Sequence, residues 1–175
     1  PGRFLVDQAR AADLVVIGRD SGPATRWHLA AAPGDVVLGL GRPLLVVPPG
    51  VRRLAADRIV VGWKNTAPSR RAIADALPLL RRAGKVLVVA VGDACEEGPE
   101  DVVALLRRHE VAAAAMLRPA VAAPPADELM RIAAGESADL IVTGAYGHAR
   151  MREWILGGVT RALLDDAPIC CLMSH

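Results

Sequence analysis

The stretch "DLIVTGAYGHARMREWILGGVT", Asp139 to Thr160, places an apolar run directly before a glycine-spaced loop. Leu140, Ile141 and Val142 read as a buried strand. Gly144 and Gly147 are three apart, and nine residues separate Gly147 from the pair Gly157-Gly158. Two readings fit that spacing. In the first, the loop cradles phosphate. Glycine accepts positive φ and lets backbone N–H groups approach an anion with no Cβ in the way. A helix opening at Gly157-Gly158 would add partial positive charge. In the second, the glycines only turn the chain and allow close helix packing. His148, Arg150 and Arg152 lie in the same loop and either neutralise phosphate or face water.

Working outward from this loop, residues 57–175 alternate in a regular way. Arg58 to Gly62 is a short apolar strand. Ser69 to Ala83 carries Ile73, Ala76, Leu77 and Leu80 at helical spacing, and Gly84 stops it. Lys85 to Val91 is a second buried strand, and Pro99 opens a helix through Arg108. Val111 to Leu117 reads as a third, Ala-rich strand, and a helix from about Ala126 to Ala134 follows two prolines. Asp139 to Thr143 is the fourth strand. The loop leads to a helix ending near Asp166, and Ile169 to Met173 is the fifth strand. Apolar strands separated by helices predict a parallel sheet covered on both faces, with right-handed crossovers.

The first fifty residues repeat the end of this pattern. "ADLVVIGRD" (Ala12–Asp20) matches "ADLIVTGAY" (Ala138–Tyr146), and "GRPLLVVPP" (Gly41–Pro49) matches "DAPICCLMS" (Asp166–Ser174). Asp13 to Pro43 spans 30 positions and Asp139 to Pro168 spans 29. The expectation is a tandem repeat. Residues 1–50 would be the C-terminal half of a first copy, 51–56 a linker, and 57–175 a complete copy. Equal repeats would place roughly 70–80 further residues before Pro1.

Composition narrows the function. Among the 175 residues, 53% are hydrophobic and only 3% aromatic, so the core is aliphatic. A net charge of +2, with scattered basic residues, gives no footprint for nucleic acid or an anionic membrane. No apolar run reaches the length needed to span a bilayer. Three cysteines, two of them adjacent, fit reduced thiols in a cytoplasmic protein better than a disulfide framework. No Cys/His spacing suggests a metal site. The four histidines form no triad pattern, and neither Ser69 nor Ser137 has an evident base. An enzyme is therefore not expected.

The glycine spacing followed by "GGVTRALL" and an apolar last strand resembles the universal stress protein family. Gly144, Gly147 and Gly157 take the three motif glycines, and Gly158 stands where the pattern has Ser or Thr. The resemblance implies an α/β fold: an open, doubly wound, five-stranded parallel sheet with helices on both faces, here joined by half of a second copy. It further implies a stress-response protein that binds an adenine nucleotide such as ATP without robust catalysis. The binding residues would be Gly144, Gly147, His148, Gly157, Gly158 and Thr160, with the Thr160 hydroxyl partly replacing the missing one. Nucleotide-binding members carry an acidic residue just after the first strand, where this sequence has Lys64. That exchange is expected to lower base selectivity. The first repeat lacks the later glycines at this spacing, so its half-site is degenerate.

The family also has a nucleotide-free branch, so the alternative is a dimeric adaptor acting through protein contacts. Family dimers pair their last strands antiparallel. Within this chain, residues 44–47 and 169–173 would pair in that way, with association to a second chain also expected. Trp63 either stacks on a base or fills space at its strand end.

Overall fold

The computed structural model describes residues 2–19, 33–92, 98–119, 124–146 and 158–175. Thirteen elements run along them: α1 (Gly2–Ala9), β1 (Val15–Gly18), α2 (Pro33–Leu40), β2 (Leu44–Val47), β3 (Arg58–Trp63), α3 (Ala67–Leu80), β4 (Lys85–Val91), α4 (Pro99–Arg108), β5 (Ala113–Arg118), α5 (Pro125–Gly135), β6 (Leu140–Gly144), α6 (Gly158–Asp166) and β7 (Cys170–Ser174). The strands form one seven-stranded sheet in the order β1-β2-β7-β6-β3-β4-β5. From β7 to β5 every neighbouring pair is parallel. β1 and β2 also pair in parallel. The two groups meet at an antiparallel seam, where Leu44 faces Met173, Leu45 faces Leu172 and Val46 faces Cys171. Neither β2 nor β7 is therefore a sheet edge; among the described residues β1 and β5 are.

Alternation along each strand sends side chains to two cores. One holds Ile17, Val46, Val60, Leu87, Ile141, Cys171 and Met173 against α1, α2, α5 and α6. The other holds Leu45, Ile59, Val61, Val88, Leu140, Cys170 and Leu172 against α3 and α4. The adjacent thiols of Cys170 and Cys171 thus lie on opposite faces of the sheet, and both are free.

Element ends depart from the sequence reading where side chains set them. α3 begins at Ala67, before Ser69, because the Thr66 side chain caps it by accepting from the Ser69 amide at 3.4 Å. It ends at Leu80 rather than Ala83. The third strand of the complete repeat begins at Ala113 rather than Val111, and its residues 114–118 lie at or near the surface, as suits an edge. β7 starts two residues after Pro168, whereas β2 starts immediately after Pro43.

The negative end of α6 is met from across the seam. Arg19 donates to the carbonyls of Leu164 at 3.2 Å and Ala167 at 2.6 Å. Arg161 also reaches Asp165, four residues on, at 3.4 Å. These cations compensate for acidic residues at the unfavourable pole of the helix.

Candidate functional site

The order of the parallel strands reverses between β6 and β3: the chain runs outward from β3 to β4 and β5, then returns to β6 and β7. At such a switch point the crossovers leave the sheet on opposite faces, opening a crevice beyond the strands' carboxyl ends. The segments emerging here are Lys64 to Thr66 after β3 and Ala145 to Tyr146 after β6. Thr143 ties the two strand ends together, its hydroxyl donating to the Gly62 carbonyl at 3.2 Å.

Gly144 is fixed by packing. A Cβ on it would collide with the Ser69 amide nitrogen and lie 2.6 Å from the Pro68 carbonyl carbon. The absence of a side chain lets the first turn of α3 close over the end of β6. Two residues later, Tyr146 adopts a left-handed φ of 56°, uncommon for a residue with a bulky side chain. Its amide donates to the Thr160 hydroxyl at 3.3 Å. The His175 ring meets the Tyr146 ring edge-on at 6.5 Å and lies 3.1 Å from the Ala145 carbonyl through Nδ1. Ser174 Oγ donates to Asp75 of α3 at 2.7 Å, holding the end of β7 beside this region.

Gly158 is exposed at the first turn of α6, with open space around its α-carbon among the described residues. Thr160 is buried, and its oxygen is engaged by the loop's own backbone. Gly147, His148 and Gly157, with Arg150 and Arg152, lie outside the described residues, as do Cys95 and the polar segment after Arg19. The structure therefore brings together Gly144, Tyr146, Thr160 and the start of α6. Trp63 is packed among the side chains beneath α3, so it fills space at the strand end. Lys64 is exposed beside it.

Farther along the same rim, Glu128 in the first turn of α5 takes both guanidinium donors of Arg131, at 2.8 and 2.6 Å, with Arg118 at 3.8 Å. The Arg131 hydrogen bond holds the Glu128 carboxyl below its ordinary range. These arginines are already engaged by a carboxylate. Among the described residues no group of three or more His, Cys, Asp or Glu could hold a metal, and no helix is long and apolar enough to cross a membrane.

Three features were not legible in the sequence: the approach of Ser69 to Gly144, the left-handed Tyr146, and the Arg19 cap on α6. Each depends on segments distant in the chain. Two others had local signals. Thr66 three residues before Ser69 marks a helix start, and Arg161 four residues before Asp165 marks an ion pair.

This arrangement defines a doubly wound α/β protein in which a glycine-bearing turn at the topological switch point is tied to the first turn of α6. The sequence profile of the universal stress protein family matches residues 55–175, and the chain belongs to that family. Among solved structures it is similar to a universal stress protein from Archaeoglobus fulgidus, with 13% identity and a TM-score of 0.72, covering 98% of this chain and 64% of that one. A putative universal stress protein from Pseudomonas aeruginosa matches at 14% identity and a TM-score of 0.64, covering 97% and 66%. The hypothetical protein MJ0577 matches at 15% identity and a TM-score of 0.55, covering 66% of this chain and 93% of its own. At these identities the likeness is one of fold. The chain spans about two thirds of the length of the two larger relatives. No curated protein matches the sequence.

Proposed function

We propose that this is a cytosolic stress-response protein that binds the phosphates of an adenine nucleotide, weakly and without robust catalysis, in the crevice between β3 and β6. The observation that carries this reading is the tie between Tyr146 and Thr160. It joins the turn leaving the switch point to the first turn of α6. Residues 147–157, which hold the remaining motif glycines, run between these two anchors. A held, left-handed residue at a strand's carboxyl end is a common feature of ligand clamps, where backbone strain is retained for function. The N-terminal amides of α6 supply donors suited to an anion.

Gly158 in place of a hydroxyl residue removes one ligand to phosphate. A hydrogen bond to a charged group contributes about 1.5–3 kcal/mol, so affinity falls about tenfold or more. Lys64 in place of an acidic residue weakens selection of the nucleoside, so ATP and GTP should differ less here than in family members with the full pattern. The reading includes no general base and no nucleophile.

Calorimetry with ATP, GTP and AMP, on the wild type and on Gly147→Val, tests the proposal. Binding of ATP and GTP that is tighter than AMP and lost in the valine variant supports it. If no nucleotide binds at millimolar concentration, the protein is an adaptor acting through protein contacts. If AMP binds as well as ATP, the glycines are not the source of affinity. Steady ATP turnover above the Gly147→Val control would instead indicate an enzyme.

A further inference from the structure

β5 is the outer strand of the complete repeat, and its backbone shows which groups the sheet leaves open. The Val86 amide of β4 donates to the Ala112 carbonyl, and the Gly92 amide to the Arg118 carbonyl. Successive strand residues turn their backbone groups to opposite sides, so residues 112, 114, 116 and 118 face β4. Residues 113, 115, 117 and 119 face away from the sheet. The first and last of these are closed to a new strand. The Ala113 carbonyl accepts from Arg107 at 3.1 Å, and its amide donates to Val111. Pro119 has no N–H to give. Ala115 and Leu117 remain, each with an N–H and a C=O that meet no partner among the described residues.

The side chains of this gap carry no charge. Ala114 and Ala115 are exposed, Met116 is half-buried and Leu117 is 37% exposed. Sheets commonly blunt an edge with charged residues, prolines or bulges. Here the blunting stops at the two ends, Arg107 and Pro119, and the register with β4 is unbroken between them. α4, which crosses from β4 to β5, lies on one face of this margin. It carries Glu100 and Asp101 in its first turn and Arg107 and Arg108 in its last.

We infer that the Ala115–Leu117 edge is a docking surface for a second copy of this chain, joined strand to strand about a two-fold axis through Met116. The axis sets the two β5 strands antiparallel, with Ala115 opposite Leu117 of the second copy. Such a pair exchanges two N–H···O bonds, and the symmetry repeats it, so every open group on both copies is used. Either neighbouring register leaves groups unpaired. An axis through Ala115 brings Leu117 against the capped Ala113, and one through Leu117 brings Ala115 against Pro119. The same axis lays the two copies of α4 antiparallel on one face. The acidic first turn of each then runs toward the basic last turn of the other, a charge match that an unrelated strand would lack. The contact lies at the opposite end of the sheet from β1 and leaves the β2–β7 seam intact. Its area is small, so the dimer is weak and concentration-dependent.

Hydrogen exchange on the 175-residue chain, with no nucleotide present, tests this. The Ala115 and Leu117 amides should exchange fast in dilute protein and on the order of tenfold or more slower in concentrated protein. The Ala114 and Met116 amides, bonded to β4, should be protected at every concentration. Sedimentation should show monomer passing to dimer over the same range. Ala115→Pro removes one outward donor from each copy and no bond to β4, so it should weaken dimerisation on the order of tenfold to a hundredfold. Leu117→Lys keeps every backbone group, places a charge on the edge and should also weaken the dimer; it serves if the proline variant does not fold. A chain that stays monomeric at millimolar concentration overturns the proposal. So does a dimer that both substitutions leave unchanged, or one in which Val16 at the β1 edge gains protection while Ala115 and Leu117 do not.

Discussion

Gly144 and Ser69, 75 positions apart in the chain, lie so close that no side chain fits between them. The contact joins the end of β6 to the first turn of α3, and the Thr66 cap supports that turn from beneath. Gly144→Ala should therefore destabilise the fold by about 1–3 kcal/mol, the usual range for overpacking, since backbone rather than a pliable side chain must move. Urea denaturation measures this with no nucleotide present. A variant as stable as wild type would show that α3 shifts freely, and the packing role of Gly144 would fail.

Arg19 lies on the first fifty residues and caps a helix of the last twenty. Arg19→Ala leaves two carbonyls at the negative end of α6 without their charged donor. The expected loss is about 2 kcal/mol, within the range for hydrogen bonds to charged groups. Limited proteolysis should then separate the N-terminal fifty residues from the rest sooner than in wild type. An unchanged digestion rate would mean that the seam alone holds the two parts.

At the seam itself, Leu45 faces Leu172, and Val46 faces Cys171. Leu172 and Val46 are buried, so a lysine at either place puts an unpaired charge into an apolar layer. Leu172→Lys and Val46→Lys should each cost about 3 kcal/mol or more and expose strand edges that aggregate. Light scattering during heating would show earlier aggregation for both. Unaltered scattering would argue that the seam opens without consequence.

Cys171 provides a pH test. Burial, with Cys170 beside it, raises its thiol pKa to about 12 from an ordinary 9.0, against a smaller opposing effect of Arg19. The folded protein keeps the thiol protonated where the unfolded chain would ionise. The associated stability is fully present below pH 9 and is lost as pH rises toward 12. Each pH unit in that window should remove about 1.4 kcal/mol through this group. Cys171→Ala should flatten the alkaline side of the stability profile by that slope. The native thiol should also resist disulfide reagents at pH 8. Rapid labelling of Cys171 without unfolding would contradict its burial.

The sequence by itself determined the alternation of apolar strands and helices over residues 57–175, because strand and helix periods are local and each run carries its own stop signals. It also determined the family, through glycine spacing that survives as a local pattern. The likeness of the Asp13 and Asp139 stretches was legible for the same reason. Matching Pro43 to Pro168 aligned the final strands two residues away from the register given by their hydrogen bonds. A proline marks where a strand can begin, whereas inter-strand bonds decide its pairing. The antiparallel pairing of β2 with β7 was expected from the family resemblance, but tertiary structure alone decided its register, that Arg19 caps a distant helix, and that Gly144 is kept small by Ser69. Each of these is a contact between segments far apart in the chain. Such contacts follow from how sheet and helices close in space, and no local spacing encodes them.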